Sequence, residues 1–345
     1  MGGLASRETA RLIMRPFQES DFTTVHSYAS SEENTQYMFF GPNNEEETRA
    51  FLTRAMASYE QTPITNYEYA VVEKETGTQI GGFSLRVEVD TGEVGWMLHQ
   101  DHHRKGYATE AARELLALGF EELGLRRIRA TCHSENQGSR RLMEKLGMRL
   151  EATFQDMRKS KPTQSCFREY HDECHYGILR EEWEVQREIA YYNALPCQFT
   201  GFVEIPQLTD GEIHLVCIKK NEAVPEKKYV PDYNFIICKG SEKVGYVNLR
   251  IGYTDHLYYS GQVGYAVDEA HRGNDYAVKA TRLLAPIARA HGMTNLLITN
   301  NHTNIASRRV CEKLGTKLVR LVRLPEWSEL YKQGQRFVNI YDWSI

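Results

Sequence analysis

The segment His102-His103-Arg104-Lys105-Gly106-Tyr107-Ala108-Thr109 holds the residues best suited to chemistry. It follows an apolar run at 94–98 that reads as a strand, and it leads into helical spacing from Thr109 onward. Backbone N–H groups at a helix N-terminus are unpaired and point outward, so they bind anions. Gly106 lets a phosphate approach the main chain closely. Arg104 and Lys105 add positive charge, and Thr109 offers a hydroxyl. By itself a glycine turn before a helix is commonplace, and the loop also reads as an ordinary connection.

The segment has a second copy. Gly92-Glu93-Val94-Gly95-Trp96 recurs as Gly261-Gln262-Val263-Gly264-Tyr265, and 102–108 aligns with 271–277, both at an offset of 169. Asn136 to Gly147 aligns with Asn304 to Gly315, sharing N-x-x-S-R-R-x-x-E-K-L-G at eight of twelve positions. Ile80-Gly81-Gly82-Phe83-Ser84-Leu85-Arg86 echoes Val244-Gly245-Tyr246-Val247-Asn248-Leu249-Arg250. Blocks in the same order imply a duplicated domain rather than a short-period solenoid. The chain has 345 residues, enough for two domains with separate cores. The expected division is 1–187, a linker at 188–200, and 201–345.

The elements that position these residues read alike in both halves. Aromatic and β-branched runs at 67–72 and 80–85 flank the turn Glu75-Thr76-Gly77, which predicts a hairpin. A strand at 94–98, a helix at 109–123, a strand at 127–132 and a helix at 136–146 follow. The second half predicts strands at 233–238, 244–250 and 263–267, a helix at 278–290, a strand at 296–299 and a helix at 305–314. Hairpins followed by alternating strands and helices imply an α/β (mixed α+β) fold with helices on both faces of the sheet.

Composition excludes several classes. The net charge is −4, so nothing marks a nucleic-acid binder or a polybasic membrane protein. No apolar run approaches the length of a membrane span. The seven cysteines are irregularly spaced, with no C-x-x-C pair, which predicts a reducing cytoplasm rather than disulfides. His171 and His175 stand four apart, but the segment reads as a strand, so no metal site is expected.

Together the strand, basic glycine turn, helix, strand and N-x-x-S-x-x-x-x-E-K-L-G resemble the GCN5-related N-acetyltransferase (GNAT) superfamily. The first half looks most like its ribosomal-protein N-acetyltransferase branch. The matching pieces include Arg11-Leu12-Ile13-Met14-Arg15-Pro16, Gly106-Tyr107-Ala108-Thr109-Glu110-Ala111 and Tyr176-Gly177-Ile178-Leu179-Arg180-Glu181-Glu182-Trp183. The second half resembles small bacterial members with an R-G-x-x-Y-A loop. The resemblance implies two tandem domains, each a splayed, mostly antiparallel sheet, and an acyl-CoA-dependent N-acyltransferase using acetyl-CoA as cosubstrate. It implies contacts to acetyl-CoA from Met97, Leu98, His99, His103, Arg104, Lys105, Gly106, Tyr107, Ala108, Thr109, Asn136 and Arg140. The second-half counterparts are Val267, Arg272, Gly273, Asn274, Asp275, Tyr276, Ala277 and Asn304. His103 stands where Gln or Arg is usual. Asp275 replaces the loop glycine, adding a carboxylate and removing backbone freedom.

Transfer to an amine needs a base, because ammonium groups dominate near pH 7. The resemblance offers Glu93, replaced by Gln262 in the second half; Glu93 also reads as a surface carboxylate. Where many relatives place a tyrosine acid, this chain has Met143 and Cys311. Ser139 is then the nearest proton donor, or else a helix cap. Helices predicted at 21–31 and 45–60 form the acceptor wall in such domains, with Tyr37, Phe39 and Phe40 between them as cleft lining or core. Between Lys220 and Tyr233 there is room only for a loop. The acceptor class is a small-molecule amine or a protein or peptide amine, and nothing in the sequence excludes an oligomer. Two alternatives stay open: a CoA-binding sensor or scaffold without turnover, and two active halves.

Overall fold

The computed structural model describes residues 4–159 and 170–345. The chain separates into two compact units, Met1–Glu184 and Val185–Ile345. In the first, strands β1 (Arg7–Glu8) and β2 (Leu12–Pro16) precede helices α1 (Phe22–Ala29), α2 (Glu32–Thr35) and α3 (Glu45–Ser58). The hairpin follows as β3 (Asn66–Glu73) and β4 (Gln79–Glu88), then β5 (Thr91–Leu98), α4 (Tyr107–Ala117) and β6 (Arg127–His133). Helix α5 (Gln137–Lys145), β7 (Arg149–Lys159) and β8 (Tyr170–Leu179) complete it. The eight strands form one sheet in the order β1-β2-β3-β4-β5-β6-β8-β7. All neighbours are antiparallel except β5 and β6.

Side-chain alternation assigns the two faces. Tyr69, Val71, Phe83, Leu85, Ile128 and Ala130 turn inward with Ala111, Leu115, Leu116 and Met143 from α4 and α5. Burying each such leucine contributes about 1.5–3 kcal/mol. On the opposite face Ala70 packs with Val25 and Tyr28 of α1 and Leu52 and Ala55 of α3. Helix α4 begins two residues before the expected Thr109, because Tyr107 already turns into the core at 8% exposure. It runs on through a π-helical turn at Leu118–Glu122 and stops at Gly124, whose φ is +70°.

Helix α6 (Arg180–Asn193) takes in residues 188–193 of the expected linker. Within the second unit its Val185, Ile189 and Tyr192 pack with Leu297, Val322 and Ile340. There follow β9 (His214–Asn221), β10 (Asp232–Lys239), β11 (Glu242–Arg250), α7 (Asp255–Ser260) and β12 (Val263–Val267). Then come α8 (Tyr276–Ala290), β13 (Asn295–Asn301), α9 (Ile305–Leu314), β14 (Lys317–Arg323), α10 (Glu329–Lys332) and β15 (Phe337–Ser344). The sheet is fully divided here, into β12-β11-β10-β9 and β13-β15-β14. Between β9 and β10 the described residues hold only a short turn, Pro225–Lys227. Val216, Ile218 and Tyr246 therefore stay exposed on the face that corresponds to the one α1 and α3 cover in the first unit.

No helix is long and apolar enough to cross a membrane among the described residues.

Candidate active site

The loop after β5 is shaped by two left-handed residues. Arg104 has φ +61° and Gly106, the residue capping α4, has φ +85°. A side chain at Gly106 would be strained by that φ, and its Cβ would meet Arg11 Nη2 at 3.3 Å. Arg11 braces the loop from β2's side: Nη1 donates to the Lys105 carbonyl at 3.0 Å and Nε to Glu110 Oε2 at 2.7 Å. The first free turn of α4 thus presents unpaired N–H groups beside Arg104 and Lys105. Two expected ligand contacts point elsewhere. Tyr107 is buried and donates its hydroxyl to Glu73. His103 folds back, with Nε2 3.0 Å from the Leu98 carbonyl, and so caps the end of β5.

The sheet opens beside this loop. Strands β5 and β6 pair only at Thr91–Arg127, Gly92–Ile128 and Glu93–Arg129. Beyond Glu93 they diverge. His99 donates to the Ile80 carbonyl at 2.8 Å, and antiparallel pairing alternates from there. Met97 and His99 therefore direct their backbone groups to β4, while Val94, Trp96 and Leu98 direct theirs into the gap. Among the predicted contacts at 97–99 only Leu98 faces the gap through its backbone, and its side chain is buried. Trp96 was not singled out from the sequence, yet it spans the gap: its Nε1 donates to Ser139 Oγ at 3.2 Å. Ser139 is not the cap of α5. That role belongs to Asn136, whose Oδ1 accepts from Ser139 N at 3.0 Å. Arg140 is drawn to the Ser134 carbonyl at 3.3 Å and the Tyr176 hydroxyl at 3.4 Å.

A cleft of about 840 Å³ lies on the α1/α3 side of the gap. Tyr37, Phe39 and Phe40 line it, with Phe51 and Arg54 of α3, and its floor is Glu68, Ser84, Glu93 and Gly95. Val94, Trp96, Asn136 and Ser139 also line it, so cleft and gap are continuous. Glu93 Oε2 accepts from Arg86 Nη2 at 3.2 Å and from Arg129 Nε at 3.1 Å and Nη2 at 3.0 Å. Glu173 is similarly held by Arg158, at 2.6 and 2.7 Å. The His133 and His171 rings stack 4.2 Å apart, and Tyr37 leans on His133 at 5.3 Å. Burial holds both imidazoles below the ordinary histidine value, which keeps them neutral at pH 7. Arg158 lies 4.4 Å over the Phe39 ring. His171 and His175 sit on β8, and no cluster among the described residues could hold a metal ion.

The second unit repeats much of this geometry. Gly273 has φ +87° and Asp275, at the cap of α8, has φ +58°. Asp275 thus adopts the left-handed region that Gly106 occupies in the first unit, a conformation Asp tolerates better than most residues. Its carboxylate turns to Lys313 Nζ at 2.5 Å. Arg272 Nε points at the Val267 carbonyl, 3.4 Å away, as His103 does at Leu98. Tyr265 and Ser307 hydroxyls meet at 2.8 Å, matching Trp96 and Ser139. Asn304 caps α9 through Ser307 N at 3.1 Å. Tyr276 and Ala277 are buried in the core, and Asn274 Nδ2 donates to the His271 carbonyl at 3.0 Å. Gln262 is fully buried and staples the strands: Nε2 donates to the Gly252 carbonyl at 3.0 Å, and Oε1 accepts from Leu297 N at 2.6 Å.

The chain is 35% identical over 177 residues to the uncharacterized N-acetyltransferase YnaD of Bacillus subtilis, covering 51% of this chain and 97% of that protein. It is 30% identical over 152 residues to the uncharacterized N-acetyltransferase YoaA of the same organism, covering 43% and 84%. A solved GNAT-family acetyltransferase from Bacillus anthracis is 34% identical, with a TM-score of 0.45, over 51% of this chain and 99% of that one. The family model described as an acetyltransferase (GNAT) domain matches residues 11–149 and again 172–317. The chain therefore belongs to the GNAT acetyltransferases, as a tandem protein built for acyl-CoA-dependent N-acetyl transfer.

Proposed function

We propose that the first unit transfers an acetyl group from acetyl-CoA to a primary amine by direct attack. The continuity of cleft and gap carries this reading: an amine in the cleft reaches the unpaired edge of β5 without crossing protein. Arg104, Lys105, Gly106, Ala108 and Thr109 would hold the pyrophosphate on the first turn of α4. The backbone edge of Trp96, the Leu98 N–H and Asn136 Nδ2, which has no partner among the described residues, would hold the pantetheine arm. Acetyl-CoA supplies the activated acyl group. The amine nitrogen forms the new C–N bond as the C–S bond breaks. The departing sulfur needs a proton, and Ser139 supports that role. Its oxygen accepts from Trp96, which leaves its own O–H free to donate. Tyr37, Phe39 and Phe40 would receive the apolar body of the acceptor.

Introducing a carboxylate side chain at Gly106 should obstruct the loop. Calorimetry of Gly106→Glu should show acetyl-CoA affinity reduced at least tenfold, or about 1.4 kcal/mol. Unchanged affinity in a variant with wild-type circular dichroism would remove the loop from the binding site.

A further inference from the structure

We infer that Glu68, on β3, is the base that deprotonates the acceptor amine in the first unit, a role that rests on the amine-transfer reading above. Register places it. Glu68 pairs with Ser84, and Ser84 pairs with Gly95, so the three lie in one row across β3, β4 and β5. Residues directly opposite share a face, and this face is the floor of the cleft. Two strand spacings of about 4.8 Å put Gly95 about 10 Å from Glu68. Ser84 and Gly95 are small, and beyond the Ser84 hydroxyl, 3.0 Å from where a Cβ on Gly95 would sit, no bulky side chain stands in the row between the carboxylate and the gap. An amine fits in that interval, directly or through one water. The next row, Asn66–Arg86–Glu93, is filled by an amide and the paired side chains of Arg86 and Glu93.

The other acids of the cleft are engaged. Glu93 is clamped between Arg86 and Arg129, and Glu173 is held by Arg158. Glu47 closes the capping box of α3. Among the described residues the hydrogen bond to the Glu68 carboxylate comes from an amide, Asn66 Nδ2 at 3.1 Å. Several groups face it. Arg54 approaches from α3, Tyr28 from α1, and Ser84 and Arg86 from β4, with Glu93 beyond on β5. Tyr59, just after α3, donates to the Glu68 backbone carbonyl at 2.7 Å. Burial outweighs Asn66 and Arg54 and pushes the carboxyl up to about 7. A base tuned close to the working pH is the efficient one.

The step balances. The ammonium gives one proton to Glu68, and the neutral nitrogen attacks the thioester carbonyl. The C–S bond breaks, the sulfur takes the Ser139 hydroxyl proton, the nitrogen's second proton replaces it on Ser139, and Glu68 later returns its proton to solvent. The sign of the pH effect follows. Glu68 is protonated and inactive as a base below its midpoint, so kcat/KM should rise through about pH 7. A carboxyl raised in the folded state binds more protons there than in the unfolded chain, so ionising it destabilises the fold. Glu68→Gln should then melt higher than wild type at pH 8, with the difference shrinking as pH falls through 7 and vanishing only below 4.5.

The experiment uses the full chain, acetyl-CoA, and three probes: benzylamine, a lysine peptide, and a peptide with a free N-terminus. Thiol release is read from pH 5.5 to 9, alongside calorimetric acetyl-CoA affinity, thermal melts, and a carboxyl ¹³C NMR titration of wild type against Glu68→Gln. We expect kcat to fall at least 100-fold at pH 7.5 in Glu68→Gln, with the limb near pH 7 lost and acetyl-CoA affinity kept within twofold. A Glu68 carboxyl that titrates as an ordinary surface glutamate overturns the assignment even if the variant fails to fold. So does a retained rate, or a limb that survives Glu68→Gln and disappears in Glu93→Gln. A wild-type chain that releases no thiol with any probe overturns the amine-transfer reading itself, and the base role with it.

Discussion

Glu93 and Ser139 show how position and partner part company at the scale of one residue. Glu93 lies where a base was expected, but its strand neighbours are Arg86 and Arg129, and both reach it. Nothing in its own segment announces that clamp, because the arginines come from other strands. Glu68 was invisible for the same reason. An acid inside an aromatic run, Asn66-Tyr67-Glu68-Tyr69, reads as one polar position of an alternating strand. Only the row through Ser84 and Gly95 gives it a view of the gap. Arg11 belongs with these, since its hold on Lys105 reaches across 94 residues of sequence. Ser139 makes a sharper prediction. As a proton donor it should matter to turnover, while its structural part is one hydrogen bond from Trp96, worth about 0.5–1.5 kcal/mol. Ser139→Ala should lower kcat at least tenfold with little change in acetyl-CoA affinity. Ser139→Thr, which keeps the hydroxyl, should recover part of the rate. Equal kcat in Ser139→Ala would assign the sulfur's proton to another source.

At the scale of elements, the caps of α5 and α9 are the same device used twice. Asn136 and Asn304 each accept from the backbone N–H of the serine three residues on. Removing either cap should cost about 1 kcal/mol, within a range of about 0.5–2. Chemical melts of Asn136→Ala and Asn304→Ala should therefore show similar losses. If Asn136 Nδ2 also holds the pantetheine arm, that variant alone should weaken acetyl-CoA binding severalfold. Matched affinities would leave Asn136 a cap and nothing more. Elements with strong periodicity were legible in the sequence: the hairpin β3–β4, the helices α4 and α5, and their copies in the second half. So was the splay, through the resemblance rather than the pattern. The edge strands β7 and β14 were not: β7 is largely exposed, and β14 buries only Val322 and has its alternation broken by a register shift between Leu318 and Arg320. β1 spans only two residues, too short for any period. The short helix α7 carries no sequence signal either. It replaces a plain turn between β11 and β12, and its cap, Thr254, looks like any loop threonine.

The whole molecule is a duplication whose halves have diverged in what surrounds a shared frame. Both cradles have two left-handed residues, but glycine fills the second position in the first unit and the first position in the other. Both gaps are bridged by an aromatic and a serine. The differences lie around that frame. The second unit has no counterpart of α1 and α3 among the described residues, and its Gln262 is consumed as a staple. Asp275 places a carboxylate at the mouth of the cradle, where a pyrophosphate would meet it, although Lys313 neutralises part of that charge. We therefore expect one tight acetyl-CoA site per chain, in the first unit, and a second site at least tenfold weaker. Calorimetric titration of the full chain reads the stoichiometry directly. In the Gly106→Glu background only the weak site should remain, and Asp275→Asn should strengthen it, since the left-handed conformation suits Asn as well as Asp. The carboxylate's repulsion is the cause invoked, so the gain should shrink as salt is raised. Two sites of similar affinity in the wild type would make the halves equivalent binders. A weak site indifferent to Asp275→Asn would shift the cause from charge to the rest of the second cradle.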